Sequence, residues 1–310
     1  MSTSAEPDKL AACPAGNTAS YIGRFAPSPT GPLHMGSLIA ALASFLDARA
    51  VGGRWLLRME DLDPPREPPG AAEQILEQLR NLELHWDGEV LYQSQRQDAY
   101  AAALTQLDAA GLLYRCSCSR QRIRELDGRY DGHCRKQSAA AGADYAIRLQ
   151  TRDAPVGFMD RIQGEFSQAI ETEVGDFVIR RKDGLFAYQL AVVVDDGYQQ
   201  ITDVVRGYDL LDSTPRQIYL QSLLGLPRPN YAHFPVLVND QGQKLSKQHF
   251  AAAVDIADAR RALYEGLKFL GLKPPATIAS SPCATQLVWA IEHWDIQAVP
   301  KLANIPELSV

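Results

Sequence analysis

One segment of the sequence combines a single histidine with backbone features suited to binding a phosphate. It is RFAPSPTGPLHMGS, residues 24–37, and it stands between a short apolar run and a helical apolar pattern. The N-terminus of a helix presents free N–H groups and the positive end of its dipole to anions. We expect Pro32 to lie in the first helical turn, His34 to donate to a phosphate oxygen, and Gly36 to allow close approach. A well-capped helix with a surface histidine is the alternative.

A second segment, KLSKQ at residues 244–248, carries two lysines that flank a serine. It follows a predicted strand, and by itself such a run is typical of a solvated turn. The presence of His34 in the first segment favours a more specific function. The two segments could hold a triphosphate from both ends, with His34 at one end and Lys244, Ser246 and Lys247 at the other. The two segments together predict an ATP site that stabilises charge as pyrophosphate leaves.

Three of the five cysteines, Cys116, Cys118 and Cys134, fall within nineteen residues and indicate a metal site. Thiolates suit zinc, and a structural tetrahedral site needs a fourth ligand. On ligand chemistry alone His133 is a better candidate than Tyr130, because neutral imidazole binds without losing a proton whereas a phenol of pKa about 10 must ionise. Three free cysteines that merely pack together are the alternative.

Strands and helices alternate around these motifs, as in an α/β protein with a parallel sheet. YIGRF predicts a strand before the histidine segment, and apolar residues from Met35 onward recur at helical spacing. RWLLRM predicts a buried strand that ends in EDLD, and a second helix follows in AEQILEQLRNL. For a third helix, Ser94 and Gln97 predict a capping box and Gly111 predicts the C′ position.

The pattern changes near residue 112 and returns near residue 187. Between them lie the clustered cysteines and short alternating strands, which indicates an insertion that splits one α/β domain. LAVVVDD and QQITDVVRG then predict strands, and PRQIYLQSLLGL predicts a helix. The expected organisation is a disordered tail at 1–20, a Rossmann-like catalytic domain in two halves at 21–111 and 187–240, a zinc-containing insertion at 112–186, and the KLSKQ loop with a short helical region at 241–310.

Composition is that of an ordinary globular protein, with 46% apolar and 22% charged residues and a net charge of −6. No apolar run approaches the roughly 18 residues that a membrane span needs. The first twenty residues lack the basic start and apolar centre of a signal peptide, so we expect a cytoplasmic location. The negative charge argues against indiscriminate binding to DNA or RNA, and a disulfide framework is not expected in a large cytosolic chain.

The sequence resembles the class I aminoacyl-tRNA synthetases. HMGS stands where that family has its H-I-G-H motif, and KLSKQ stands where it has K-M-S-K-S. The segments RFAPSPTG, RMEDLD, FAYQLAVVVDD and DVVRGYDLLDSTPRQ narrow the resemblance to the glutamyl branch, and they run in family order over residues 21–250. The resemblance implies the family's Rossmann-like fold and an ATP-dependent ligase activity.

Two features indicate a particular part of that branch. The chain stops at residue 310, which leaves room only for a short helical region that contacts the tRNA stem, and Ser37 and Gln248 replace the usual motif residues. Both features resemble the glutamyl-queuosine tRNA(Asp) synthetases, which load glutamate onto the queuosine base in the anticodon of tRNA(Asp). The implied partners are therefore ATP, L-glutamate and tRNA(Asp) bearing queuosine.

The resemblance also implies roles for individual residues. His34 and Lys247 would contact phosphate in the transition state, with Mg²⁺ carried by ATP. Bidentate arginines suit glutamate's carboxylates and a carboxylate suits its ammonium group. The expected glutamate-binding residues are Arg24, Ser28, Glu60, Tyr188 and Arg206; the expected ATP-binding residues are His34, Gly36, Ser37, Lys244, Ser246 and Lys247; and the expected zinc ligands are Cys116, Cys118, Tyr130 and Cys134.

Two other functions remain open from the sequence. A truncated enzyme of this family could charge a tRNA 3′ end. A catalytically silent relative could bind tRNA or an amino acid as a sensor, although the pair of His34 and Lys247 argues against it. Which arginine binds which carboxylate of glutamate also stays open.

Overall fold

A computed structural model describes residues 21–126, 129–136, 144–152, 155–239 and 258–306. The expected tail at 1–20 and the KLSKQ segment, with Lys244, Ser246 and Lys247, lie outside the described residues. Within the described ranges, no helix has both the length and the apolar character required to cross a bilayer.

The strands and helices follow one another in the alternation that the sequence predicts. The strands are β1 Ile22–Phe25, β2 Arg54–Met59, β3 Leu91–Tyr92, β4 Leu113–Cys116, β5 Ala146–Leu149, β6 Pro155–Asp160, β7 Gly164–Ala169, β8 Phe177–Arg180, β9 Asp203–Gly207, β10 Asn230–Phe234, β11 Val236–Val238 and β12 Asn304–Pro306. The helices are α1 Met35–Arg49, α2 Ala71–Asn81, α3 Gln97–Ala109, α4 Arg120–Arg124, α5 Ile170–Glu173, α6 Tyr188–Tyr198, α7 Thr214–Leu224, α8 Ala259–Phe269 and α9 Cys283–Glu292.

Parallel strands form the centre of the fold. β1 pairs with β2, β2 with β3, and β9 with β10, all in parallel. The two groups meet where the Thr202 N–H donates to the Ile22 carbonyl at 2.9 Å, just before β9. The carboxyl ends of β1, β2 and β9 therefore open on the same edge, where open α/β sheets bind ligands.

Helix α1 lies against this sheet and is buried along most of its length. Leu38, Leu42 and Leu46 have no exposed surface, and β2 contributes Trp55, which is equally buried. The indole Nε1–H of Trp55 donates to the Ser44 hydroxyl at 3.0 Å, so the polar edge of a buried ring is satisfied within α1. This packing fixes the start of α1 relative to the strand ends.

The C-terminal helices pack on the other side of α1. Leu263 and Leu267 of α8 are fully buried in the same apolar core as α1, together with Leu287 of α9. Gly266 allows the close approach of α8, because a Cβ there would lie 3.1 Å from Leu42 Cδ2. The indole of Trp294 donates to Asp47 at 3.0 Å, which ties the chain after α9 back to α1.

Antiparallel strands occupy the middle of the chain. β4, β5 and β8 form one antiparallel sheet, and β6 and β7 form a hairpin. The hairpin adjoins the parallel strands, because β6 also pairs with β10.

The structure corrects the prediction of a strand at LAVVVDD. These residues lie in α6, in which the run from Leu190 to Val193 and the two aspartates are buried. A helix enclosed on most sides has no polar face to show a 3.6-residue period, and its consecutive valines resemble a strand in sequence. The strand predicted at QQITDVVRG is confirmed as β9.

Two predicted helix starts are also wrong in detail. Ser94 does not cap α3: it lies in a 3-10 turn, and its N–H and hydroxyl both donate to Asp61, at 2.8 and 2.6 Å. Ser94 is therefore bonded to the Asp61 carboxylate and does not cap the backbone of α3. Pro32 precedes the first turn of α1, which begins at Met35 with His34 as its N-cap. Gly111, with a φ of 69°, follows α3 as predicted.

Candidate active site

A cavity of about 920 Å³ opens at the carboxyl ends of the parallel strands. The ends of β1, β2 and β9, the loop that leads into α1, and the start of α6 all contribute to its wall. Among the lining residues are Arg24, Ser28, His34, Gly36, Ser37, Glu60, Tyr188 and Arg206. The structure thus brings together every predicted glutamate-binding residue and the part of the predicted ATP site that precedes the KLSKQ segment.

His34 occupies the N-cap of α1 and is held there by Ser37. The Ser37 N–H donates to His34 Nδ1 at 3.3 Å, and Ser37 Oγ lies 2.9 Å from His34 Nε2. Because Nδ1 accepts, the proton of the neutral ring is assigned to Nε2, which donates to the Ser37 hydroxyl. Ser37 therefore orients the imidazole at the helix terminus where an anion would bind.

Arg24, at the end of β1, is paired with a buried carboxylate of α6. Its Nε donates to Asp196 Oδ1 at 3.2 Å, and its Nη2 lies 3.5 Å from Oδ2. Arg58 of β2 shares that carboxylate, with Nη1 at 2.8 Å from Oδ1. Burial raises the pKa of Asp196, but the two guanidinium groups outweigh it and hold that pKa below its usual range.

Glu60 follows β2 and faces the same cavity. Its Oε1 lies 3.5 Å from Arg58 Nη2, and only 11% of its side chain is exposed. Burial raises the pKa of Glu60 above its usual range, while Arg58 and Arg24 act in the opposite direction. A positively charged ligand group near Glu60 would favour its ionised form.

Arg206, on β9, has a different set of partners. Its Nε donates to His233 Nε2 at 3.0 Å, and its Nη2 donates to Thr214 Oγ1 at 2.8 Å and to the Leu210 carbonyl at 3.4 Å. Its Nη1 lies 3.5 Å from the Tyr188 hydroxyl. Among the residues that the structure describes, no carboxylate forms an ion pair with Arg206.

Tyr188 and Ser28 complete the predicted set. Tyr188 begins α6, and burial raises the pKa of its phenol, so the hydroxyl stays protonated and can donate to a ligand. Ser28 is exposed in the loop between β1 and α1, where its carbonyl accepts from the Thr30 N–H at 2.8 Å.

The side chains that support these residues were not predicted from the sequence. Arg58 stands in the predicted strand RWLLRM, and Asp196 was placed in a strand that is in fact helix α6. No sequence motif singled out His233 or Thr214 as a functional residue. A charged residue inside an apolar run, such as Arg58 or Asp196, was the available signal, because such a residue is rarely buried without a partner.

The clustered cysteines lie together away from this cavity. The sulfur atoms of Cys116, Cys118 and Cys134 are within 4.8 Å of one another. The Tyr130 hydroxyl lies 3.4 Å from the Cys116 sulfur and 3.6 Å from the Cys118 sulfur. His133, the alternative from ligand chemistry, is not among the grouped ligand atoms of the described residues.

The close approach of two backbone segments positions the Tyr130 ring. The Tyr130 N–H donates to the Val174 carbonyl at 3.2 Å, beside Gly175, which has a φ of 75° and leaves no room for a Cβ against Tyr130. The guanidinium of Arg148 stacks 3.8 Å from the ring centroid. Three sulfurs and one phenol oxygen are thus grouped in a way that could hold a tetrahedral metal ion.

Comparisons with known proteins show the family of this chain. Residues 22–278 match the family described as tRNA synthetases class I (E and Q), catalytic domain. A protein of Pseudomonas aeruginosa named Glutamyl-Q tRNA(Asp) synthetase is 53% identical over 290 residues, which cover 94% of this chain and 99% of that protein. One of the same name from Thiobacillus denitrificans is 55% identical over 290 residues, covering 92% of this chain and 96% of that protein.

A solved structure shows the same fold. The glutamate tRNA ligase of Elizabethkingia meningosepticum, crystallised with its amino acid, superposes with a TM-score of 0.75 at 25% identity, covering 93% of this chain and 67% of that one. The chain therefore belongs to the class I tRNA synthetases of the E and Q type, and it is a ligase-type enzyme. Its function is like that of a glutamyl-tRNA synthetase, and relatives that match it over almost their whole length are named for tRNA(Asp).

Proposed function

We propose that this enzyme activates L-glutamate with ATP and transfers it to the queuosine base in the anticodon of tRNA(Asp). The proposal is supported by relatives of that name that match nearly end to end, and by the residues of the cavity. Glutamate as the amino-acid substrate is supported by one observation: Arg24, Arg206 and Glu60 all line the same cavity. Two cations and one anion are complementary to the two carboxylates and one ammonium group of glutamate.

In the activation step, an oxygen of glutamate's α-carboxylate attacks the α-phosphorus of ATP. The bond between that phosphorus and the bridging oxygen breaks, so that pyrophosphate leaves and glutamyl-adenylate forms. No protein nucleophile is needed, because positioning and charge stabilisation drive such a displacement. His34 at the start of α1 would contact the phosphates on one side, and Mg²⁺ would accompany the nucleotide.

The ATP site also requires residues of the KLSKQ segment. Gly36 and Ser37 lie at the cavity, whereas Lys244, Ser246 and Lys247 belong to the part of the chain outside the described residues. We propose that Lys247 stabilises the charge on the leaving pyrophosphate opposite His34, with Lys244 and Ser246 in support. In the second step a nucleophilic group of queuosine attacks the acyl carbon and AMP leaves.

Transfer of labelled glutamate tests the acceptor directly. Purified enzyme, ATP and labelled glutamate are mixed with tRNA(Asp) that carries queuosine, with unmodified tRNA(Asp) and with tRNA(Glu). We expect label only on the queuosine-bearing tRNA. Label on tRNA(Glu) would instead identify a truncated enzyme that charges a 3′ end, and absence of label on every tRNA, with no ATP–pyrophosphate exchange, would identify a silent relative.

We propose that the cysteine cluster holds one structural zinc ion. A tetrahedral site with Zn–S bonds of about 2.3 Å separates its sulfurs by about 3.8 Å, and Cys118 and Cys134 are 3.5 Å apart. Tyr130 is the proposed fourth ligand because its oxygen lies among the sulfurs. We expect elemental analysis to show one zinc per chain, reduced in Tyr130→Phe and retained in His133→Ala; the reverse pattern would assign the site to His133.

A further inference from the structure

We propose that His233 is a positioning residue that orients the Arg206 guanidinium toward a carboxylate of the amino-acid substrate, and that Asp160 holds His233 in the tautomer this requires. The inference rests on the proposed function, because it concerns how the cavity binds glutamate. His233 lies on β10, directly beside Arg206 in the parallel register of β9 and β10. It has no exposed surface and does not line the cavity.

The hydrogen bonds determine which ring nitrogen carries the proton. Arg206 Nε is always a donor, so His233 Nε2, at 3.0 Å, must accept from it. The proton of the neutral ring is then on Nδ1, which donates to Asp160 Oδ2 at 2.6 Å. A carboxylate behind a histidine is a known way to fix its tautomer and ring orientation.

Asp160 is itself rigidly held at the end of β6. Its Oδ1 accepts from the N–H groups of Ile162 at 3.0 Å, Gln163 at 2.9 Å and His233 at 3.2 Å. Its other oxygen is left for the imidazole. Although burial raises the pKa of Asp160, the hydrogen bond from His233 and the backbone donors hold that pKa below its usual range. The carboxylate therefore stays ionised and keeps Nδ1 protonated.

The histidine must be neutral for this arrangement to work. Burial, followed by the charge of Arg206, lowers the pKa of His233 to about 4, although Asp160 acts in the opposite direction. At neutral pH the ring consequently offers a lone pair, and not a second N–H, to the guanidinium. A protonated ring would place two donors against each other.

Three contacts then fix the orientation of the Arg206 guanidinium. His233 takes Nε and Thr214 takes Nη2, while Nη1 lies near the Tyr188 hydroxyl, which lines the cavity. Because His233, Thr214 and Tyr188 are all uncharged, they fix the orientation of Arg206 without neutralising it. An arginine pre-oriented in this way loses less conformational entropy when its remaining N–H groups, on Nη1, bind a carboxylate.

Two substitutions at His233 separate positioning from packing. His233→Leu fills the space but removes the acceptor, whereas His233→Gln keeps a carbonyl oxygen near the position of Nε2. In ATP–pyrophosphate exchange we expect His233→Leu to raise the KM for glutamate about 10- to 100-fold, in line with a lost hydrogen bond to a charged group, and to leave the KM for ATP unchanged. His233→Gln should recover most of the loss.

Phe158→Leu is the matched control, because the Phe158 ring packs against His233 with centroids 6.2 Å apart but makes no hydrogen bond to it. It should lower the thermal midpoint and leave the KM for glutamate unchanged. If His233→Leu does not fold, Thr214→Val perturbs the same cluster, because Thr214 Oγ1 lies 3.1 Å from His233 Nε2 and accepts from Arg206 Nη2. It should then raise the KM for glutamate and leave the KM for ATP unchanged.

The failures of the two proposals are distinguishable. Glutamate-dependent exchange by the wild-type enzyme together with a wild-type KM for glutamate in His233→Leu would overturn the positioning role alone. Absence of glutamate-dependent exchange in the wild-type enzyme would overturn the proposed function. A rise in the KM values for glutamate and ATP by the same factor, without rescue by His233→Gln, would also overturn positioning, because it would show general damage to the fold.

Discussion

The two arginines expected to bind glutamate are held in opposite ways. Arg24, at the end of β1, pairs with the buried carboxylate of Asp196, which also binds Arg58. Arg206, at the end of β9, is held by an imidazole, two hydroxyls and a backbone carbonyl, all of them uncharged. The Arg24 side of the cavity is therefore built around an ion-paired guanidinium, and the Arg206 side around a guanidinium whose described hydrogen-bond partners are all uncharged.

This difference suggests that one side of the cavity contributes mainly to stability and the other mainly to binding. When Glu60 is ionised, the positive charges of Arg24 and Arg58 are balanced by the negative charges of Asp196 and Glu60. Arg206 adds a positive charge to a cavity wall that also carries Arg66 and Asp209. Removing one partner of a buried ion pair is costly, so substitutions on the Arg24 side should matter most for folding and substitutions on the Arg206 side most for binding.

The largest expected effect is on folding, from Asp196→Asn. The substitution leaves Arg24 and Arg58 buried without their shared carboxylate, and removing one partner of a buried ion pair costs about 3–5 kcal/mol. We expect the free energy of unfolding, measured by urea titration, to fall by about that amount. An unchanged value would show that the Arg24 side is not held together by charge compensation.

Arg206→Gln should have the next largest effect, and on binding. Truncating one partner of a buried charge pair costs about 2–5 kcal/mol, so we expect kcat/KM for glutamate in exchange assays to fall roughly 100- to 1,000-fold. Its free energy of unfolding should change much less than that of Asp196→Asn. Arg228→Gln, at an exposed position outside the cavity, is the matched control and should retain wild-type exchange. Equal exchange by both variants would remove Arg206 from the glutamate site.

Thr214→Val should weaken glutamate binding less than Arg206→Gln does. It removes the Oγ1 acceptor from Arg206 Nη2 while keeping the shape of the side chain. We expect the KM for glutamate to rise about 5- to 10-fold, less than in His233→Leu, because Arg206 Nη2 keeps the Leu210 carbonyl as an acceptor. Titration of the exchange rate with glutamate measures this, and a KM equal to that of the wild type would show that Thr214 does not help to place the guanidinium.

Acid should weaken the two sides in different pH windows. Unfolded chains bind a proton at His233 below its ordinary pKa of 6.5, whereas in the folded protein burial lowers that pKa to about 4. The unfolded state thus binds more protons in this window, and the free energy of unfolding decreases as the pH falls from about 6.5 to about 4. Asp196 has a depressed pKa, so its contribution is lost only below its ordinary value of 3.8.

Urea titrations at several pH values between 7 and 4 test whether the contribution of His233 is lost in a higher pH range than that of Asp196. His233→Gln should show a smaller decline in unfolding free energy over that range than the wild-type protein. Identical declines in the two proteins would show that His233 does not titrate as the buried imidazole requires.

Much of the cavity could be predicted from the sequence because its residues belong to motifs. The segment at residues 24–37 supplies Arg24, Ser28 and His34 from one loop, and the strand ends before Glu60 and after Arg206 were predicted correctly. The motifs could not reveal which arginine is ion-paired, because that depends on a carboxylate more than 170 residues away from Arg24 along the chain.

The errors come from burial and from pairing between strands that lie apart in the sequence. Helix α6 was predicted as a strand because enclosure on most sides removed its amphipathic signal, and Asp196 was overlooked with it. His233 was overlooked because its function depends on a pairing across β9 and β10, which local sequence does not encode. The preference for Tyr130 over His133 as a zinc ligand is not among these errors; it stays a prediction, and distances to the sulfurs, which the isolated residues could not supply, support it.

Glutamate-dependent ATP–pyrophosphate exchange in the absence of tRNA is the most direct measurement of glutamate activation at this cavity. The resemblance to the queuosine-modifying branch implies that activation here does not require tRNA. We expect the purified enzyme to exchange pyrophosphate into ATP with L-glutamate alone, and Lys247→Ala to lose the activity. Exchange that another amino acid supports better than glutamate, or no exchange with any amino acid, would contradict the proposed activity.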